Sequence, residues 1–172
     1  MKYIVFILAV ASALLVAPPV MAENVERIQL FQKPEVMAQQ RRLVGNLRAV
    51  ARREGVVVNV PQLYVFHADF SEAYHMDGFR AGFDRELGLI LDRRRGARSM
   101  VRLDRLLERV KTEAGEPFGL DDLPEADFYL ALYRRSGCDV CDQLIEYLNQ
   151  WLEENPERQA VWLDVRTDPP RP

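Results

Sequence analysis

Phe128-Tyr129-Leu130-Ala131-Leu132-Tyr133 followed by Arg134-Arg135-Ser136-Gly137-Cys138-Asp139-Val140-Cys141 is the stretch that decides how this chain folds. Its first six residues form an aromatic and aliphatic run with the length and composition of a buried strand. Beyond the cysteines, Leu144, Ile145, Leu148, Trp151 and Leu152 recur at i, i+1, i+4, i+7 and i+8. That is the apolar stripe of a helix, ending near Asn155-Pro156. Cys138 and Cys141, the only two cysteines in the chain, therefore fall on a strand-to-helix turn. A C-x-x-C pair in that setting is where thiol–disulfide exchange usually sits.

The thiolate is the species that attacks a disulfide. A helix start favours it, because unpaired backbone N–H groups and the helix dipole stabilise negative charge there. Cys138 is expected at that start and is the expected attacking thiol. Cys141, about one turn further in and less exposed, is expected to resolve the mixed disulfide. Arg134 and Arg135 add positive potential at the turn, while Asp139 and Asp142 oppose it. The alternative is a quiet local disulfide with no exchange role. A zinc site is not expected, since there is no second cysteine pair, and Asp142 after Cys141 removes the haem-attachment pattern.

The first 22 residues read as a secretory signal. Lys2 gives a small positive n-region, Tyr3 to Ala17 an apolar h-region, and Val20-Met21-Ala22 the small-residue cleavage pattern. The apolar run is shorter than the roughly 20 residues a bilayer span needs. Cleavage after Ala22 leaves 150 of the 172 residues, one domain with a sizeable core, and no further span follows. An exported, periplasmic location is expected, with no membrane association after cleavage; the competing reading is an uncleaved membrane anchor. An oxidising compartment lets a disulfide persist and supplies disulfide-bearing substrates.

Loss of Lys2 takes the basic count from 23 to 22 against 26 acidic residues, and the formal charge from −3 to −4. Nothing in that balance calls for nucleic acid. The local basic run Arg93-Arg94-Arg95-Gly96-Ala97-Arg98 reads as a solvated loop.

Working outward, residues 23–34 are a lead-in with little pattern beyond Ile28, Leu30 and Phe31, and Pro34 belongs at the first turn of the next element. From Glu35 to Arg53, Val36, Met37, Leu43, Val44, Leu47, Val50 and Ala51 keep helical spacing, and Gly55 stops the helix. Val56 to Pro61 leads into Leu63-Tyr64-Val65-Phe66, a buried strand with Pro61 where proline is tolerated. His67 to Gly82 reads as a loop, Leu87 to Leu91 as a strand, and Ser99 as the cap of a helix through Leu103, Leu106, Leu107 and Val110. Residues 114–125, with Gly115, Pro117, Gly119 and Pro124, read as a linker. The closing unit, 126–172, ends in a strand at Ala160-Val161-Trp162-Leu163-Asp164-Val165.

In these residues the chain resembles the thioredoxin-like superfamily, in two pieces whose order is exchanged. Phe128 to Val165 is similar to that fold's first half: strand, C-x-x-C, helix, then a strand ending in Asp164-Val165. Residues 35–113 are similar to its second half: a helix, the strand led by Val60-Pro61, a hairpin partner and a closing helix. The resemblance implies an α/β, thioredoxin-like three-layer fold with a mixed central sheet, circularly permuted, with 114–125 joining the usual ends. It also implies that Val60-Pro61 forms a cis peptide beside the cysteines and docks the substrate chain. The family's aromatic residue before the first cysteine is replaced by Gly137, and no acidic residue lies inside the Phe128–Tyr133 strand.

The function expected is therefore an exported thiol–disulfide oxidoreductase-like protein. Cys138 and Cys141 would act on protein thiols or disulfides, with no cofactor. The alternative is a non-catalytic binding or assembly module of the cell envelope with a structural disulfide. No metal is expected, because His67, His75, Asp69, Glu72 and Asp77 match no ligand spacing. Ser71 lacks the glycines of a nucleophile elbow.

Overall fold

A computed structural model describes residues 24–42, 60–92 and 101–168. They form a mixed α/β fold with strands β1 (Val25–Gln32), β2 (Gln62–His67), β3 (Glu72–Asp77), β4 (Val110–Lys111), β5 (Phe128–Arg134) and β6 (Ala160–Arg166). The helices among the described residues are α1 (Pro34–Arg42), α2 (Phe83–Leu91), α3 (Leu103–Leu107) and α4 (Asp139–Glu154). None is long and apolar enough to cross a membrane.

The strands make one open sheet in the order β3-β2-β5-β6-β1-β4. Its centre is parallel: β5 pairs with β6 from Phe128↔Ala160 to Arg134↔Arg166, and β6 with β1 from Val25↔Ala160 to Phe31↔Arg166. The flanks are antiparallel, with β2 on β5, β3 on β2 and β4 on β1. Strands β2 and β5 are buried along nearly their whole length, so their sequences are continuously apolar rather than alternating.

The reason is that both faces of the sheet are covered. Leu63, Val65, Leu130, Leu132 and Trp162 meet α2 and α4 on one face, while Tyr64, Phe66, Tyr129, Ala131 and Leu163 meet α3 and residues 118–126 on the other. The helices thus form outer layers around a central sheet. Within α4, Leu144, Leu148, Trp151 and Leu152 are buried. Each contributes about 1.5–3 kcal/mol of transfer free energy, which fixes this helix across β5 and β6.

Several expectations are corrected. Leu87 to Leu91 is not a strand; it belongs to helix α2, whose Phe83, Leu87 and Ile90 bury one face at i, i+4 and i+7. The segment read as a loop after His67 holds the edge strand β3, whose period is obscured because Ala73 and Met76, three apart, are its buried residues and because a register shift falls at Val65/Phe66. The lead-in contains β1, a strand in the sheet rather than an appendage. The helix expected through Val110 ends at Leu107, and Val110 enters β4. The linker 114–125 carries a 3-10 turn at Leu120–Asp122. Pro34 does open α1, and β2, β5, α4 and β6 lie where their patterns put them. The signal segment 1–22, the α1 continuation to Arg53, Gly55, the 93–98 basic run and Ser99 lie outside the described residues.

Candidate functional site

The site forms where β5 hands over to α4. Strand β5 ends at Arg134, the chain turns through Arg135, Ser136 and Gly137, and Cys138 is the N-cap of α4. Gly137 sits at φ +66°, a left-handed conformation that glycine adopts without steric cost. Cys138 itself is extended (φ −109°, ψ 92°), as an N-cap must be for its side chain to turn back on the helix.

Cys138 and Cys141 are joined in a disulfide, with 5.2 Å between their Cα atoms. The Cys141 N–H donates to Cys138 Sγ at 3.3 Å and to the Cys138 carbonyl at 2.8 Å, and the Asp142 N–H reaches that carbonyl at 3.1 Å. The two sulfurs differ in access: Cys138 is part-exposed, whereas Cys141 is fully buried beside Leu144. In this geometry negative charge on Cys138 meets a backbone donor and the positive end of a 16-residue helix, and Cys141 meets apolar core.

The Val60–Pro61 peptide bond is cis. Pro61 is buried and its carbonyl accepts the Gly78 N–H at 2.9 Å, while Val60 is part-exposed. Register brings this segment toward the cysteines. Gln62 pairs with Tyr133 across β2 and β5, so Val60-Pro61 continues past the same sheet end from which the Arg134–Cys138 turn departs. Val140, between the cysteines, is 44 % exposed and offers an apolar contact on that rim.

Charge around the turn comes from three elements. Arg134, on β5, forms a two-point ion pair with Asp164 of β6, Nε to Oδ1 at 2.5 Å and Nη2 to Oδ2 at 2.6 Å. That hydrogen bonding raises the Arg134 guanidinium above its ordinary value against the opposing effect of burial, and the charges of Asp164, Asp142 and Asp168 add to it. Beyond Asp164, Arg27 of β1 stacks on Trp162 with its guanidinium carbon 4.2 Å from the ring centroid, and donates to Asn149 of α4. Burial lowers the Arg27 guanidinium, Asp164 raises it, and Arg134 lowers it.

After β6 the chain returns to the turn. The Thr167 N–H and hydroxyl both donate to the Arg134 carbonyl, at 2.8 and 3.2 Å. Asp168 accepts from the Ser136 N–H at 3.2 Å and the Ser136 hydroxyl at 2.6 Å. Arg166 donates to that hydroxyl at 2.6 Å.

Sequence reasoning singles out Cys138, Cys141, Val60 and Pro61, and the fold brings both segments to one end of the sheet. It misses Ser136, Asp164, Arg166 and Asp168. Asp164 lies on the neighbouring strand β6, opposite Leu132. No local pattern marks these residues, because each acquires its partner only when β5 and β6 pair.

His75 stacks on Tyr64 with centroids 4.4 Å apart, Asp69 accepts from Ser71, and Glu72 accepts the Val101 N–H. Among the described residues no group of three or more His, Cys, Asp or Glu side chains is arranged to hold a metal ion. No protein-family model, curated protein or solved structure matches the chain.

Proposed function

We propose that this protein is an exported thiol–disulfide oxidoreductase of circularly permuted, thioredoxin-like fold, acting on protein thiols or disulfides in the periplasm. The observation that carries the reading is the asymmetry of the Cys138–Cys141 disulfide, with Cys138 part-exposed at the α4 N-cap and Cys141 fully buried one turn on. That is the arrangement exchange chemistry needs: one sulfur reachable by a partner and stabilised as a thiolate, the other close enough to complete the exchange.

The topology supports the fold part of the proposal. Strand β5, the C-x-x-C helix α4 and the parallel strand β6 form one half, and β2, the antiparallel β3 and α2 form the other. On this reading the hairpin partner is β3 rather than Leu87 to Leu91, and the closing helix is α2 rather than the helix through Leu103 to Leu107. Export rests on the leader-like pattern of residues 1–22.

In the forward direction, the Cys138 thiolate attacks a sulfur of the substrate disulfide. A Cys138–substrate bond forms, the substrate S–S bond breaks, and the departing substrate sulfur leaves as a thiolate. The Cys141 thiol then gives its proton to the departed substrate thiolate and its sulfur attacks Cys138. The Cys138–Cys141 disulfide forms, a second substrate thiolate leaves, and the protein ends two electrons oxidised. Run backwards, the same steps oxidise a dithiol substrate. Val60-Pro61 would hold the substrate chain alongside the turn.

The test is a redox titration of the chain in glutathione buffers, reading Cys138 and Cys141 by alkylation. A reduction potential between roughly −270 and −120 mV is expected, the range of exchange proteins. A potential below about −300 mV marks a structural disulfide and overturns the reading in favour of a binding or assembly module.

A further inference from the structure

Ser136, two residues before Cys138, is tied to the chain beyond β6 through both backbone and side chain. Its N–H and hydroxyl occupy the two oxygens of Asp168, and the hydroxyl in turn accepts from Arg166. Two residues earlier, Thr167 holds the Arg134 carbonyl. The turn carrying Gly137 is therefore fastened, on its approach to α4, to a segment more than thirty positions away in sequence.

We propose that Asp168 is a positioning residue for Cys138: by gripping Ser136 it fixes the turn so that the Cys138 sulfur stays at the α4 N-cap, facing the Cys141 N–H. This rests on the exchange reading above. The consequence is chemical rather than merely structural. A sulfur held at the N-cap shares a backbone donor and the helix dipole, which stabilise its thiolate. If Ser136 is released, Cys138 leaves that position for part of the time and its thiol becomes less acidic.

The sign separates positioning from simple charge. Asp168 is an anion near the turn, among Arg134, Arg166, Asp142 and Asp164. If it acted only through its charge, removing it would make Cys138 more acidic and faster to react. If it acts through Ser136, removal has the opposite effect. Ser136→Ala, which changes no charge, should then reproduce it.

The experiment uses the full chain. Exchange with glutathione is measured first on the wild type, and then the pH profile of Cys138 alkylation by iodoacetamide is measured on the reduced wild type and variants. Asp168→Ala should slow alkylation at neutral pH by about fivefold and move the profile to higher pH, and Ser136→Ala, which keeps the N–H contact, should do the same by about twofold. The double variant should be no slower than Asp168→Ala alone, since that change already removes both the N–H and the hydroxyl contact of Ser136. Asp168→Asn, which keeps an acceptor for the Ser136 N–H, should fall between.

An Asp168→Ala profile that is unchanged or shifted to lower pH overturns the positioning role while leaving the exchange reading intact. A wild type that does not exchange with glutathione overturns both. Should Asp168→Ala fail to fold, Ser136→Ala decides the question alone: slower alkylation supports the role and an unchanged profile overturns it.

Discussion

Arg134 and Asp164 face each other across the parallel pair β5 and β6 as a planar, two-point ion pair, with only 22 % and 20 % of their side chains exposed. The pair stands where β5 gives way to the cysteine turn, and α4 begins above it. Partial burial makes its removal costly, because one charge is left desolvated without its counterion. Asp164→Asn should lower stability by about 1–3 kcal/mol, seen as a lower urea midpoint at unchanged slope. The double variant Arg134→Met, Asp164→Leu should recover most of that loss. A single variant as stable as the wild type would show that the pair contributes nothing net.

The difference in access between the two sulfurs predicts which cysteine captures a partner. In the proposed exchange reaction, Cys141→Ser should accumulate a mixed disulfide through Cys138, because the thiol proposed to resolve it is gone. Cys138→Ser should accumulate little, since Cys141 is fully buried. Non-reducing gel mobility after incubation with an oxidised protein substrate reads both. Equal trapping by the two variants would contradict the assignment.

Gly137 predicts a backbone effect at the same turn. At φ +66° a valine meets the β-carbon penalty of the left-handed region, although no neighbouring atom lies within 4 Å of where its β-carbon would stand. Gly137→Val should cost about 1–2 kcal/mol in chemical denaturation. Because open space surrounds the site, Gly137→Asn should lose much less. Similar losses for the two would mean the cost arises from crowding, contrary to the geometry.

Tyr133 sets an alkaline limit. Its ring is fully buried between Tyr64 and the α3 side of the sheet, and burial pushes its phenol well above the ordinary value of 10.0, with Tyr64 adding to the rise and Arg109 opposing it. A phenol that stays neutral in the folded chain but ionises when unfolded stabilises the fold fully below about pH 10. That contribution is lost as pH rises beyond it. Tyr133→Phe should therefore flatten the fall in stability above pH 10, measured as the urea midpoint against pH. A fall of unchanged steepness would assign the limit to other groups.

Asp168 sets an acid limit of opposite sign. Burial alone would raise its carboxyl, but hydrogen bonds from Ser136 and the nearby Arg166 guanidinium outweigh it and hold the group below its ordinary 3.8. A depressed carboxylate stabilises the fold above the unfolded value and loses that contribution as pH falls through the folded one. Stability tied to Asp168 should thus be complete by about pH 5 and fade below about pH 4. Comparison of Asp168→Asn with wild type across that interval checks it: the difference should shrink toward low pH.

Much of this protein is determined by the sequence alone. The continuous apolar run of β5, the helical stripe Leu144-Leu148-Trp151-Leu152 and the cysteines between them are local signals, because strand, turn and helix each follow from neighbours a few residues apart. The order of those elements puts Cys138 at a helix start, with Cys141 one turn deeper. Pro34 at the head of α1 and the β2 run are legible for the same reason.

Only the tertiary structure decided the rest. Leu87 to Leu91 has strand-like composition, yet Phe83, Leu87 and Ile90 bury together against α4's side of the sheet, and packing overrides propensity. Strand β1 has a weak pattern of its own and exists because β6 supplies a parallel ladder for it. Above all, the Arg134–Asp164 pair and the Ser136 clamp join residues about thirty positions apart. Such contacts have no spacing to read, because they arise only when two parallel strands align and carry their polar ends to the same edge of the sheet.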